Sequence, residues 1–183
     1  MSINDRVRFA GRSFDLVRVV GPTLFEPRLL DIQVVPGLSA CPRGHYAVYD
    51  LEPRLMLQRL HVRLTDDSAV TPIAGVSPTR RQRRTQRLVA NRWVFGEWPA
   101  WDHVYRDLAW PLRFTGSLWL AADRIAGPLV GAEPLMSYCT VWDVLVEDGV
   151  LKAAIDQSPE VAGARARHRA APEHPDPVLD QLH

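Results

Sequence analysis

The dipeptide Asp148-Gly149 constrains this chain more than any other pair of residues. It lies in "SYCTVWDVLVEDGVLKAAI" (137–155), between a run from Val141 to Glu147 and another from Val150 to Ile155. A two-residue hairpin loop of type I′ needs φ > 0 at both central positions, and Asp-Gly supplies that conformation readily. An antiparallel hairpin is therefore predicted. A second hairpin joins "HYAVYDL" (45–51) to "RLMLQRLHVRL" (54–64) through a turn at Glu52-Pro53. In its second arm Leu60, Val62 and Leu64 alternate with Arg59, His61 and Arg63, which predicts one apolar face and one wet face. A helix over 54–60 competes, but the turn signal and the period-two ending favour a strand.

The remaining segments read the same way. "RVRFAGRSFDLVRVV" (6–20) alternates in places around a Gly11-Arg12 turn, and 21–37 is extended chain interrupted by Pro22, Pro27 and Pro36. Residues 65–78 read as loop with a short extended piece near Ile73. In the tryptophan-dense stretch 88–111, Trp98, Trp101, Tyr105 and Leu108 fall at helical spacing and predict a short helix over 98–108. A strand from Phe114 to Ala121 follows, with Gly116 as the mark of a bulge. From 159 onward the chain is rich in Pro, Ala, His and charge and has no amphipathic core face. That tail is expected to be flexible or partly helical, with a short helix over 160–170. Hairpins dominate and βαβ alternation is lacking. The expected fold is mainly β (β with minor α): a single domain over 1–158, with 159–183 as the C-terminal tail. It would be an antiparallel meander sheet or partly closed barrel of about seven to nine strands, with one or two short helices.

Composition limits the function. At 183 residues the chain can bury a real core, and its 46% hydrophobic and 23% charged shares are ordinary for a globular domain. A formal net charge of +1 makes it no polycation, so attraction to nucleic acid or membrane must come from a local patch. Lys152 is the sole lysine, a bias expected of a GC-rich genome, which makes each arginine less informative. Cys41 and Cys139 form neither a CxxC pair nor a zinc spacing. "MSINDRVRFAG" lacks a signal-peptide pattern, and no run approaches the roughly 18 apolar residues of a membrane helix. A cytoplasmic protein with reduced thiols, no membrane association and no cofactor is expected.

The strongest local signal is "TRRQRRTQRL" (79–88). Arg80, Arg81, Arg83, Arg84, Arg87 and Arg92 meet no acidic residue before Glu97. Trp93, Phe95 and Trp98 follow, and such aromatics can stack on bases. The net charge and the missing nucleic-acid motif argue against that use. A like-charged run between strands is usually a solvated loop, and its best functional use is capture of an acidic protein. Trp93, Trp98, Trp101 and Trp110 crowd together; they either cap one end of the sheet or form a hot-spot patch. The candidate binding residues are Arg80, Arg83, Arg84, Arg87, Arg92, Trp93, Trp98 and Trp101. Trp119 and Trp142 are expected to pack in or across strands.

Cys41 and His45 in "CPRGH" could make a nucleophile pair, but Pro42 and Gly44 signal a turn into a strand, where such residues rarely converge. His61, on the polar face, and His103 lack metal-site spacing, and His168, His174 and His183 lie in the tail. Asp66-Asp67, Asp102, Asp107, Asp123, Asp143 and Asp148 show no acid–base pairing. Asp123 suits an arginine partner or a turn, and Asp143 suits solvent. Phosphate-loop, GxSxG and HExxH patterns are missing. No catalytic or metal residues are assigned.

Four segments carry a resemblance: "CPRGHYAVYDLEPRLMLQRLHV" (41–62), "PIAGV" (72–76), "PLRFTGSLWLAADRI" (111–125) and "VLVEDGVLKAAIDQS" (144–158). Together they resemble a group of small, uncharacterised bacterial β-rich proteins of immunity type. The resemblance implies partner binding and assigns no catalytic residue. The expected function is non-catalytic binding of a protein partner, as an immunity- or antitoxin-like factor. A β-barrel holding a small apolar or aromatic ligand, or an enzyme without a local signature, are the alternatives. Nucleic acid is a disfavoured partner.

Overall fold

Alternating apolar positions lay down the strands, and positive-φ turns fold them back on one another. In the computed structural model, residues 4–36, 41–64, 70–80, 103–127 and 131–170 are described with their side chains, and 84–89 and 92–97 as backbone strands. In chain order the strands are β1 (Arg6–Phe9), β2 (Arg12–Val20), β3 (His45–Leu51), β4 (Leu55–Val62), β5 (Thr79–Arg80) and β6 (Arg84–Val89). Then come β7 (Arg92–Glu97), β8 (His103–Tyr105), β9 (Trp110–Pro111), β10 (Gly116–Arg124), β11 (Tyr138–Glu147), β12 (Val150–Asp156) and the helix α1 (Ser158–Ala170).

The protein is mainly β. Its large sheet has the order β12-β11-β10-β2-β1-β3-β4-β8-β5, with β9 also on β4. The order is open, ending at β12 and β5, so the sheet does not close into a barrel. Every pairing in it is antiparallel except β1 with β3. The exception follows from chain direction. β2 occupies one side of β1 as its hairpin partner, so the proline-broken segment after β2 carries β3 to the other side.

Three turns among the described residues place both central residues at positive φ, one of them with Ala74 (48°) and Gly75 (80°) between the bridged Ile73 and Val76. Asp148 (45°) and Gly149 (75°) join Glu147 to Val150, as the sequence predicts. Ala10 (49°) and Gly11 (69°) join Phe9 to Arg12, one residue earlier than the expected Gly11-Arg12 turn.

Three bulges keep the apolar pattern on the core. In β4, Leu57 pairs with Tyr49 and Arg59 with Val48, so Gln58 is the extra residue. The apolar set accordingly shifts from 55 and 57 to 60 and 62, and all four are fully buried. That shift of parity is what makes 54–60 read like a helix. Val17 plays the same part in β2 and Lys152 in β12. The bulge thus lies across from β10, at Val17, rather than at Gly116.

The main core gathers Val7, Phe9, Phe14, Tyr49, Leu118, Leu120, Val144 and Val146 with the apolar residues of β4. Two hairpin ends meet beside it. Leu55 N–H donates to Gly149 O at 2.7 Å, Leu151 N–H to Pro53 O at 3.3 Å, and Gly149 N–H to Phe114 O at 2.8 Å. The Glu52-Pro53 bond in that contact is cis. A second cluster of Ala121, Leu135, Tyr138 and Val141 lies under α1, with Val17, Trp119 and Val161 packed on it.

Three expectations need correction. The predicted helix over 98–108 is not there in its described part: His103–Tyr105 is strand β8, pairing with β4 and β5. Tyr105 and Leu108 are buried by the sheet rather than by a helical face. His61 belongs to no wet face. It is buried, with its ring 5.1 Å from that of Tyr46. Finally, α1 docks despite its lack of an apolar stripe: Val161 enters the second cluster, and Arg165 donates to the carbonyls of Met136 (2.7 Å) and Tyr138.

Candidate functional site

The arginine-rich segment leaves and rejoins the sheet at neighbouring positions. β5 and β8 are antiparallel partners with Arg80 opposite His103, so residues 81–102 form an excursion between them. Part of it is a two-stranded ribbon, β6 with β7, which pairs only with itself among the described residues. This corrects the loop expected for the arginine run. Thr85, Val89, Trp93, Val94 and Phe95 are strand-favouring residues, and Val89 opposite Arg92 leaves two residues for the connection.

Register sorts the charges. Arg84 stands opposite Glu97, Arg87 opposite Val94, Leu88 opposite Trp93 and Val89 opposite Arg92. Arg87 and Arg92 therefore occupy diagonal positions, which in an antiparallel pair are roughly 7–8 Å apart. Neither faces an acidic residue across the ribbon. Arg80 is exposed in β5. Of the remaining candidates, Arg83, Trp98 and Trp101 lie outside the described residues.

The other tryptophans serve packing. Trp142 makes an edge contact with Phe9 (5.9 Å, 69°), Trp119 lies under the Arg18 guanidinium at 5.6 Å, and Trp110 pairs with Leu57 in β9. Asp123 holds Arg12 at 3.1 Å and accepts from Thr140 at 2.6 Å, and these bonds hold its carboxyl below the usual range. Asp143, expected in solvent, is half-buried and accepts from Ser117 Oγ.

Cys41 and His45 do not form a nucleophile pair. The Cys41 thiol donates to the His45 backbone carbonyl at 3.2 Å, while His45 Nδ1 faces the Arg43 carbonyl at 3.2 Å. Burial raises the thiol above its ordinary value, and burial beside Arg43 lowers the imidazole. Both shifts favour the neutral forms. They disfavour a thiolate–imidazolium couple.

Next to them is a feature the sequence gives no sign of. Asp5 is 7% exposed and takes both terminal nitrogens of Arg43 at 2.9 and 3.2 Å, plus the Ala47 amide at 3.0 Å. Tyr49, pushed well above its ordinary pKa by burial and then by Asp5, adjoins the pair. Asp5, Arg43 and Tyr49 line an open groove of about 510 Å³, with Val19, Leu24 and Phe25 also on its wall. No tryptophan lines it. Asp5 and Arg43 come from different strands of the sheet or their flanks, and only the parallel β1–β3 pairing brings them together.

Compared with protein-family models, with curated proteins and with solved structures, the chain matches none. Among the described residues, no three His, Cys, Asp or Glu side chains converge as metal ligands, and no helix is long and apolar enough to cross a membrane.

Proposed function

We propose that this protein is a non-catalytic binding protein that captures an acidic protein partner through the β6–β7 ribbon, in the manner of an immunity- or antitoxin-like factor. One observation carries the reading: Arg87 and Arg92 sit at diagonal positions of a ribbon that, among the described residues, pairs with no other strand, and neither has an acid across from it in the register. A pre-formed ribbon loses less conformational entropy on docking than a loop would, and its unopposed arginines favour carboxylates on the incoming surface. The immunity-type resemblance of the β3–β4 and β11–β12 segments points the same way.

Charge reversal tests it. The Arg84→Glu, Arg87→Glu, Arg92→Glu triple variant should keep the wild-type circular dichroism and melting temperature while losing a partner that wild type retains from host lysate at low salt. Retention should weaken as ionic strength rises. Equal retention by both proteins defeats the reading. Random duplex and single-stranded oligonucleotides should give no mobility shift near physiological salt. A tight shift there, falling with a log–log salt slope near −0.9 per phosphate, would transfer the ribbon to nucleic acid.

The Asp5–Arg43 groove supports a second reading, a small-ligand site whose polar base lies beside apolar Leu24 and Phe25. An anionic aromatic probe such as anilinonaphthalene sulfonate should then bind wild type and lose affinity in Arg43→Gln. Equal binding by the two proteins removes that reading.

A further inference from the structure

Among the described residues the large sheet ends at β12. On the side away from β11 the described residues that meet it are 53–54: Arg54 bridges Val150, and Leu151 N–H donates to Pro53 O. From Lys152 to Asp156 no described residue pairs with it, and every residue of that stretch is exposed. Gln157 N–H donates inward to Val141 O at 2.9 Å. Counting back by alternation, Ala154 and Asp156 turn their N–H and C=O groups away from β11. Leu151 also points outward although its number is odd, because the bulge at Lys152 shifts the parity between them.

We propose that a second copy of this chain pairs with this edge, β12 against β12, antiparallel about a twofold axis at Ala154. The residues of the strand are self-complementary in that register. Ala154 meets its own equivalent with both outward groups available for a reciprocal pair of hydrogen bonds. Lys152 meets Asp156 of the second copy, twice by symmetry, and Ala153 meets Ile155, also twice. Lys152 is free to change partner, since its pair with Glu147 (3.3 Å) is well exposed and worth little. Asp156 accepts from the Ser158 amide at Oδ1 (2.9 Å) and is exposed, so its carboxylate is accessible to the lysine.

The outer face continues the argument. Across the strands, Val20 pairs with Ser117, Ser117 with Leu145, and Leu145 with Ala153. Val20 is 51% exposed, Leu145 49% and Ile155 54%, among the largest exposures of apolar side chains in the described chain. The twofold register sets Ile155 of the second copy beside Ala153, so this stripe runs across the junction and is partly covered there. A lysine and a bulge on an edge strand are also devices that discourage pairing. Symmetry here gives that same lysine an acidic partner, and the experiment separates the two roles.

Sedimentation of the full chain over about a hundredfold range of concentration is the test. Wild type should be a reversible dimer whose fraction rises with concentration. Ala154→Pro removes only an outward N–H, so it should fold normally and stay monomeric. Lys152→Glu should raise the dimer dissociation constant about tenfold, because like charges then oppose each other at two sites. Lys152→Ala should also weaken the dimer; tighter association or precipitation would show that the lysine guards the edge, and would overturn the proposal. So would a monomeric wild type, or a dimer unchanged by Ala154→Pro. If Ala154→Pro does not fold, Ala154→Cys in a Cys139→Ser background decides. It should crosslink to itself under mild oxidation while Leu29→Cys in the same background does not, and failure to crosslink defeats the register. The ribbon triple variant should leave the dimer constant unchanged, so this result and the partner-binding result stand or fall separately.

Discussion

Gly149 meets two demands at once. Its φ of 75° suits glycine, and a Cβ there would press into the carbonyl of Leu112, well inside contact distance. Gly11 meets only the first, since a Cβ built on it reaches nothing within 4 Å. Gly11→Ala should therefore cost about 1–2 kcal/mol, the ordinary price of a left-handed alanine. Gly149→Ala should cost about 3 kcal/mol or more, because overpacking against backbone adds to the conformational term. Urea unfolding of the two variants checks this, and equal losses would mean the hairpin tip moves freely off the 112–114 segment. His45 supplies a second residue-scale test. Burial and Arg43 lower its folded pKa below the unfolded 6.5, so the folded state stays neutral while the unfolded state takes up a proton. Its contribution is thus intact above about pH 6.5 and is lost as pH falls from there through the lowered folded value. Wild type should lose stability as pH falls from about 6.5 to 5.5, and His45→Asn should lose less over the same interval. A parallel decline in both would assign the effect to other groups. At this scale the sequence was readable where a residue acts locally, as at Asp148-Gly149. The Asp5–Arg43 pair was not, because its two members lie 38 residues apart and meet only through tertiary pairing.

Among the elements, α1 shows how a helix can dock without an apolar stripe. Val161 covers the second cluster, Arg165 satisfies two carbonyls of the 136–138 segment, and Ser158 Oγ accepts from the Val141 amide at 2.9 Å. Composition alone predicts that truncation after Ser158 is harmless; the structure predicts otherwise. Removing 159–183 should cost about 2 kcal/mol or more, from lost burial over Val141 and two part-buried carbonyls left without their cation. Arg165→Ala alone should account for about half of that, and a thermal transition unchanged by both would show that the helix rests on the sheet without stabilising it. The strands were legible in kind because alternation marks them. Their bulges were not, since a one-residue shift of parity in β4 resembles helical spacing until the pairing with β3 shows that Gln58 is extra. The stretch around β8 misled for a related reason: Tyr105 and Leu108 are three apart, but a short strand and the turn after it bury both.

On the scale of the whole molecule, the sheet and the ribbon are separable in topology. The strand order could not be read from sequence, because β2 finds β10 and β1 finds β3 across long connections that leave no local trace. What local patterning did mark is the arginine run, and its place between β5 and β8 now gives it a test. Arg80 and His103 are cross-strand partners, so a two-residue Asn-Gly loop can replace 81–102 and close the same pair as a tight hairpin. Loop-closure entropy changes only slowly with length, so shortening this excursion should alter stability by about 1 kcal/mol or less. The buried residues of the main core that flank it, Tyr105 and Leu108, stay in place, and Tyr105 keeps its 2.7 Å hydrogen bond to Thr71 O. The deletion variant should therefore unfold in a single cooperative transition close to that of wild type while losing the partner that the ribbon captures. A variant that fails to fold would place residues 81–102 among the supports of the sheet, and the tryptophans of that segment would then be structural rather than part of a binding surface.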